Sequence, residues 1–278
     1  MCDETTVMTR REFTALGAAV LAVTMWSEAR ALEVGLSEAM VEIKTDDGTC
    51  EAFFVHPSQG KHPAVIFWPD AIALRDAKKA MARRLAAEGY AVLVVNQYYR
   101  TNKLPVAIGF GDFANEEKRK ALMGLFQTMP PDNVTRDAKV FAAWLDAQGA
   151  VDTSRGIGTQ GYCMGGAMAI RTAAAVPGRI KAAASFHGSQ LATEAPDSPH
   201  RLLARADAAF LILPGADDAV NEPHAVDALR EAASAAGRPA EIEVYKANHG
   251  WCVPDAPSYD EAEADRAFNR LLALYAKL

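Results

Sequence analysis

Short apolar runs alternate with helix-like segments along most of this chain, and this alternation restricts its fold more than any other feature. It is typical of crossover units that build a mainly parallel sheet with helices on both faces. The runs that we predict to be strands are residues 64–68, 91–95, 156–160, 180–186, 209–213 and 240–245. The segments that we predict to be helices are residues 76–88, 115–127, 134–147, 164–176, 223–236 and 259–276. The pattern therefore predicts an α/β fold.

An antiparallel hairpin is predicted before this alternation begins. In the sequence MVEIKTDDGTCEAFFVHP, two alternating runs flank the turn residues Asp46, Asp47 and Gly48. The 278-residue chain is 50% hydrophobic and contains no internal repeat or low-complexity linker. Such a chain can bury one large core, so we predict a single domain over residues 32–278.

The first 31 residues have the pattern of an export signal. Paired arginines, Arg10 and Arg11, precede a mildly apolar run at residues 14–26, and an A-x-A cleavage pattern follows at residues 29–31. We interpret residues 1–31 as a twin-arginine signal peptide, with a periplasmic or exported destination. An ordinary amphipathic first helix is the alternative, and it would leave the protein cytoplasmic. The apolar run is too short to cross a bilayer, so no stable membrane association is expected after processing.

Composition argues against several other classes of function. The formal net charge is -6 and no long basic run occurs, so nucleic acid is not an expected partner. The four cysteines, Cys2, Cys50, Cys163 and Cys252, have no zinc-type spacing. The glycine run GIGTQGYCMGG lacks the Lys-Ser/Thr of a phosphate-binding loop. We therefore expect neither a metal nor an organic cofactor, and oligomeric state is left open.

Residues 101–132 are longer than a crossover connection needs, and they carry several aromatic and methionine side chains. Two interpretations stay open. The segment could be an amphipathic helix packed on the sheet, or its apolar face could line or cover a pocket, as long connections often do.

The sequence GYCMGG at residues 161–166 places Cys163 between a predicted strand and a predicted helix. A sharp strand–turn–helix elbow of this kind presents a nucleophile and needs very small neighbours, which the glycines supply. The helix N-terminus beside the sulfur favours the thiolate, the reactive form of cysteine. A small buried core cysteine is the alternative. The pattern favours Cys163 as a nucleophile.

Partners for such a nucleophile follow later strands, in the order acid and then histidine. The run AFLIL leads into PGADDAV, where Asp217 and Asp218 compete for the role of the acid. His249 follows the last predicted strand, in the sequence NHGW. His187 precedes the acid in the chain, so we expect it beside the pocket rather than as the base.

From about residue 40 to the C-terminus, the chain resembles the dienelactone hydrolase family, α/β-hydrolases with a cysteine nucleophile. The resemblance rests on GYCMGG, GADD and NHGW, together with WPDAIALR and QYYR upstream. It implies a catalytic triad of Cys163, His249 and Asp217, the aspartate of G-x-D, with Asp218 outside the triad. It also implies an oxyanion hole made by the backbone N–H groups of Met164 and Ala71.

Other residues are candidates for binding substrate or activating the thiol: Asp70, Arg100, His187 and Trp251. In the family, a glutamate at the position of Asp70 takes the thiol proton when substrate binds. Asp70 is one methylene shorter, and the alternative is an ion pair with Arg75 or Arg100. Two arginines hold the substrate carboxylate in the family. One matches Arg100, but Val253 occupies the place of the other. Esters or lactones with a smaller charge requirement are therefore also expected.

The sequence predicts hydrolysis of a small-molecule ester or lactone through a thioester intermediate. Two other classes stay open. One is a non-catalytic binding protein with the same fold. The other is a thiol redox protein, in which Cys252 would have to act as the resolving cysteine.

Overall fold

The structure is a computed structural model that describes residues 35–106 and 109–278. The predicted signal peptide lies outside the described residues. Within them, eight strands form one sheet in the order β1-β2-β4-β3-β5-β6-β7-β8. The strands are β1 (Leu36–Thr45), β2 (Gly48–Pro57), β3 (Ala64–Trp68), β4 (Ala91–Val95), β5 (Ile157–Tyr162), β6 (Ile180–Phe186), β7 (Ala209–Leu213) and β8 (Ala240–Ile242).

The predicted hairpin is confirmed. Strands β1 and β2 pair antiparallel, with Thr45 opposite Gly48, and β2 pairs antiparallel with β4. The other neighbours in the sheet pair parallel. Every residue of β3, β4 and β5 is buried, because helices cover both faces of the parallel part of the sheet.

Among the described residues, the six longer helices follow the predicted segments with small shifts of their ends, and two short α-helices were not predicted. The helices are α1 (Asp76–Ala87), α2 (Glu116–Gln127), α3 (Pro131–Asp146), α4 (Met164–Ala175), α5 (Pro199–Leu202), α6 (Ala216–Asn221), α7 (Ala225–Ala235) and α8 (Glu261–Tyr275). Helix α3 begins three residues earlier than predicted, because Pro131 occupies its first turn, where a missing N–H costs nothing. The side chain of Asp260 caps α8 by accepting a hydrogen bond from Glu263 N. The α/β prediction is confirmed.

The predicted strand at 240–245 is shorter in the structure, where β8 ends at Ile242. The short helix α6 was not predicted. It lies directly after β7 and carries both candidate acids, Asp217 and Asp218. The position of this helix decides which of the two aspartates contacts His249.

The strand order places a switch point at β3, because its two neighbours in the sheet are β4 and β5. In open α/β sheets, ligands bind in the crevice outside the carboxyl ends of the strands at such a point. Asp70 follows β3 and Cys163 follows β5, so both stand at this crevice. Among the described helices, none combines the length and apolar character that a membrane span requires.

Candidate active site

Cys163 occupies a strained turn between β5 and α4. Its backbone angles are φ 55° and ψ -125°, a conformation that residues other than glycine rarely adopt. The neighbouring glycines make this turn possible. A Cβ at Gly161 would lie 1.8 Å from the Gly165 carbonyl oxygen, and a Cβ at Gly165 would lie 2.5 Å from the Pro69 carbonyl oxygen. The elbow predicted from GYCMGG is present, and it holds the sulfur at the N-terminus of a helix.

The imidazole of His249 is held by Asp218, not by Asp217. His249 Nδ1 lies 2.7 Å from Asp218 Oδ1, while Asp218 Oδ2 accepts a hydrogen bond from Gly215 N at 2.8 Å. Asp217 Oδ1 instead accepts hydrogen bonds from the backbone amides of His249, at 2.7 Å, and Asp218, at 3.0 Å. The prediction of Asp217 as the orienting carboxylate is therefore wrong. Because α6 begins at Ala216, consecutive side chains point about 100° apart around its axis, and only Asp218 faces the ring.

The surroundings of His249 favour its protonated form. Burial alone lowers the pKa of His249, but hydrogen bonds to Asp218 and to Cys163 outweigh that effect and raise the pKa from 6.5 to about 10. Since Nδ1 faces Asp218, the other ring nitrogen, Nε2, is left for the sulfur. The site therefore contains a carboxylate, an imidazole ring and the cysteine sulfur in contact, in that order.

His187 lies against the ring of His249, as expected for a neighbour of the pocket. The two rings meet edge to face with their centroids 4.6 Å apart. His187 is buried, and neither of its ring nitrogens has a hydrogen-bond partner among the described residues. Burial, and then the charge of His249, lower the pKa of His187 well below its usual value. A neutral ring here adds no second cation beside the imidazolium.

The two backbone groups predicted for the oxyanion hole follow the two strands at the switch point. Met164 is the first residue of α4, and Ala71 follows β3 by three residues. Within the described part of the chain, neither amide donates a hydrogen bond to another group. Gln97 Nε2 donates to the Asp70 carbonyl oxygen at 2.7 Å and so fixes the peptide of the Ala71 amide from its other side.

Asp70 forms ion pairs, which was one of its two predicted roles. Both of its carboxylate oxygens bind the Arg75 guanidinium, at 2.7 and 3.0 Å, and Oδ2 lies 2.7 Å from Lys78 Nζ. Burial alone raises the pKa of Asp70, but Lys78 and Arg75 outweigh burial and hold the pKa well below its usual range. Lys78 is a residue of the site that the sequence did not predict, because a lysine in a helix usually faces solvent, whereas this one is fully buried.

Two predicted binding residues lie elsewhere. Arg100 is bound to Asp137 and Asp47, each at 2.7 Å, and it does not line the cavity. Trp251 is fully buried, and its ring stacks on Tyr245 with centroids 4.5 Å apart. Arg100 and Trp251 are therefore wrong as pocket residues. The partners of Arg100 lie 37 and 53 residues away along the chain, which no local motif reveals.

A cavity of about 450 Å³ opens directly over Cys163 and His249. Phe110 and Phe126 form part of its wall, so the long connection at 101–132 does contribute to a pocket. The other lining residues are Asp70, Ala71, Ile72, His187, Gly250, Val253, Pro257 and Ser258. This lining is mainly apolar and, among the described residues that form it, includes no lysine or arginine. No group of three or more described His, Cys, Asp or Glu residues could hold a metal ion.

Comparison with known proteins identifies the family of this chain. The family model of the dienelactone hydrolases matches residues 50–278, which is most of the chain. The chain belongs to the dienelactone hydrolase family. Membership assigns the chain to the hydrolases.

Several known proteins are similar to this chain over most of their length. A Salmonella typhimurium protein assigned as a carboxymethylenebutenolidase is 29% identical over 248 residues, covering 87% of this chain and 88% of its own. An Escherichia coli K12 protein with the same assignment is 30% identical, covering 80% of each chain. A crystal structure assigned as a dienelactone hydrolase from Klebsiella pneumoniae has a TM-score of 0.75 at 26% identity, covering 87% of this chain and 99% of its own.

Proposed function

We propose that this protein hydrolyses small esters or lactones through a thioester intermediate on Cys163. The main observation in support is that Asp218 contacts His249 and His249 contacts Cys163, at the floor of an apolar cavity. The relatives assigned as carboxymethylenebutenolidases support an ester or lactone as the substrate.

In the first half of the reaction, His249 Nε2 takes the proton of the Cys163 thiol, the sulfur attacks the substrate carbonyl carbon, and the carbonyl oxygen becomes an oxyanion. The free amides of Met164 and Ala71 donate hydrogen bonds to it, and each such donor is typically worth about 3–4 kcal/mol of transition-state stabilisation. His249 Nε2–H then protonates the departing oxygen as the carbon–oxygen bond breaks. The product of this half is an alcohol, or the opened end of a lactone, and a thioester.

In the second half, the neutral imidazole of His249 takes a proton from water, and the resulting hydroxide attacks the thioester carbonyl. The carbon–sulfur bond breaks, the acid product leaves and the sulfur returns to its contact with the protonated imidazole. Asp218 keeps the Nδ1 proton in place throughout, because its Oδ1 accepts that hydrogen bond.

The acyl group that fits this cavity is uncharged. The family's two carboxylate-binding positions are Arg100, which is tied to Asp137 and Asp47, and Val253. Of the cations near the cavity wall, Arg75 and Lys78 are both paired with Asp70. A substrate carboxylate in this cavity would lose its water without gaining an arginine or lysine as a partner, and burying an unpaired charge is costly.

Steady release of nitrophenol from p-nitrophenyl acetate tests the activity. We expect turnover by the wild-type protein and none above background with Cys163→Ala. p-Nitrophenyl butyrate should be hydrolysed at least about tenfold faster than mono-p-nitrophenyl succinate, a ratio that corresponds to about 1.4 kcal/mol. A non-catalytic binding protein would release no nitrophenol from any short ester. Preference for the succinate would contradict an uncharged acyl group.

A redox function has less support. Cys252 is buried beside a different, small cavity, and burial raises its pKa well above that of an ordinary thiol. A thiol of this kind is poorly suited to resolve an oxidised Cys163. Cys252→Ser should therefore leave the reactivity of the protein toward peroxide unchanged.

We also propose that the chain is exported by a twin-arginine pathway. Arg10 and Arg11, the apolar run at 14–26 and the A-x-A pattern at 29–31 support this proposal. Replacing both arginines by lysine should retain the protein in the cytoplasm. Unchanged export of that variant would show that the motif had been misread.

A further inference from the structure

Four charged side chains form a largely buried cluster behind the cavity wall: Asp70, Arg75, Lys78 and Asp255. Lys78 is fully buried, and Asp70 and Arg75 are nearly so, with side-chain exposures of 6% and 17%. Two anions and two cations make the cluster neutral. None of these residues except Asp70 lines the cavity over Cys163, so the reaction described above does not account for the other three.

The carboxylate of Asp70 is fully occupied within this cluster. Oδ1 accepts hydrogen bonds from Ile72 N at 3.0 Å and from Arg75 Nη1 at 2.7 Å. Oδ2 accepts a hydrogen bond from Arg75 Nη2 at 3.0 Å and pairs with Lys78 Nζ at 2.7 Å. A carboxylate with this many donors is a fixed anion. It anchors the turn that carries the Ala71 amide and does not act as the proton acceptor for the thiol.

Arg75 connects this turn to the histidine loop. Its guanidinium donates to Asp255 Oδ2 at 2.6 Å and to Asp255 Oδ1 at 2.8 Å while it also holds Asp70. Asp255 belongs to the loop that begins at His249, and the Ser258 hydroxyl closes that loop by donating to the His249 carbonyl oxygen at 2.5 Å. The same guanidinium lies 5.3 Å from the ring centroid of Phe110, another part of the cavity wall.

We propose that Arg75 is a positioning residue that fixes the oxyanion turn relative to the histidine loop by binding Asp70 and Asp255 at once. The effect of this positioning on catalysis rests on the proposed function. The planar fork of arginine can bind two carboxylates in fixed directions, whereas lysine offers one charged point. Residue 75 therefore needs the geometry of a guanidinium group and not only a positive charge. Loosening this contact moves the Ala71 amide away from the developing oxyanion, which affects the transition state more than substrate binding.

The test compares Arg75→Lys and Asp255→Ala with the wild-type protein. We expect kcat for p-nitrophenyl acetate to fall about tenfold in each variant with KM within about twofold. The kcat of the double variant should be no more than about twofold lower than that of either single variant, because the two substitutions remove the same contact between Arg75 and Asp255. Asp265→Ala is the matched control. It removes a 2.7 Å ion pair from Arg84, which lies on α1, the helix that follows Arg75, and outside the cavity. This variant should leave kcat unchanged.

Two further measurements do not depend on turnover. Hydrogen–deuterium exchange should accelerate at residues 70–74 and 249–258 in both variants, but not in Asp265→Ala. Alkylation of Cys163 by iodoacetamide should stay within about twofold of wild type, because it needs no oxyanion hole. Full activity in Asp255→Ala, rescue by Arg75→Lys, or unchanged exchange in both loops would overturn the proposal. An inactive wild-type protein with the expected exchange would contradict the proposed function and leave the positioning role supported.

Discussion

Replacing Asp218 by asparagine tests which of two adjacent carboxylates orients the catalytic imidazole. Asp218 accepts one hydrogen bond from His249 Nδ1 and another from Gly215 N, one on each oxygen. Asparagine has the same shape but only one oxygen. If its NH₂ group faces His249, the ring proton moves to Nε2, and the imidazole can no longer accept the thiol proton. If the NH₂ group faces Gly215, it meets the backbone N–H of Gly215, and neither of these two donors has an acceptor.

The expected loss follows from the hydrogen bond that is removed. A hydrogen bond to a charged group contributes about 1.5–3 kcal/mol, which corresponds to about 10- to 150-fold in rate. We therefore expect kcat/KM of Asp218→Asn for p-nitrophenyl acetate to fall by about that factor. The pKa of His249 should also fall below its value of about 10, because its anionic partner is gone. An NMR titration of the imidazole measures this shift.

Asp217→Asn is the matched control, since it makes the same chemical change one residue away. Asp217 uses Oδ1 to accept two backbone N–H groups, and asparagine keeps such an oxygen. Its kcat/KM should stay within about twofold of wild type, because a substitution that keeps its contacts changes free energies by about 0.5 kcal/mol or less. An equal loss in both variants, or a larger one in Asp217→Asn, would refute the assignment of Asp218.

Three other outcomes are expected. Gly161→Ala should lower the free energy of unfolding in urea by about 1–3 kcal/mol, because its Cβ would overlap the Gly165 carbonyl oxygen. Gly178→Ala is the control. Its Cβ would enter open space, so the free energy of unfolding should change by less than about 0.5 kcal/mol. Because the pKa of Asp70 is lower in the folded protein than its usual 3.8, its stabilisation is present above about pH 4 and is lost as the pH falls further. The melting temperature of Asp70→Asn should therefore decrease less than that of wild type between pH 6 and pH 3, and an equal decrease would contradict the ion cluster. Among the described cysteines, iodoacetamide at pH 7.5 should modify Cys163 alone, since Cys50 and Cys252 are buried with raised pKa values, and mass spectrometry of the digested protein locates the label.

Local patterns predicted the fold and the nucleophile. Strands β3 and β4 are buried on both faces and apolar throughout, and the hairpin turn is encoded by Asp46, Asp47 and Gly48, so both features can be recognised within a few residues. The elbow at Cys163 is equally local, because its strain is accommodated by glycines two residues before and after it. The order of nucleophile, acid and histidine along the chain located His249 and reduced the acid to two adjacent candidates.

Tertiary structure decided which partner each polar side chain binds. The choice between Asp217 and Asp218 depends on where the short helix α6 begins, and an error of one residue there turns the side chain by about 100°. Arg75 and Asp255 are 180 residues apart in the chain, and Arg100 is bound by Asp137 instead of facing the cavity. Side-chain pairing depends on distances of a few ångströms between segments that only the folded chain brings together. Hydrophobic periodicity determines which elements form and which faces are buried, but it carries no information about such distances.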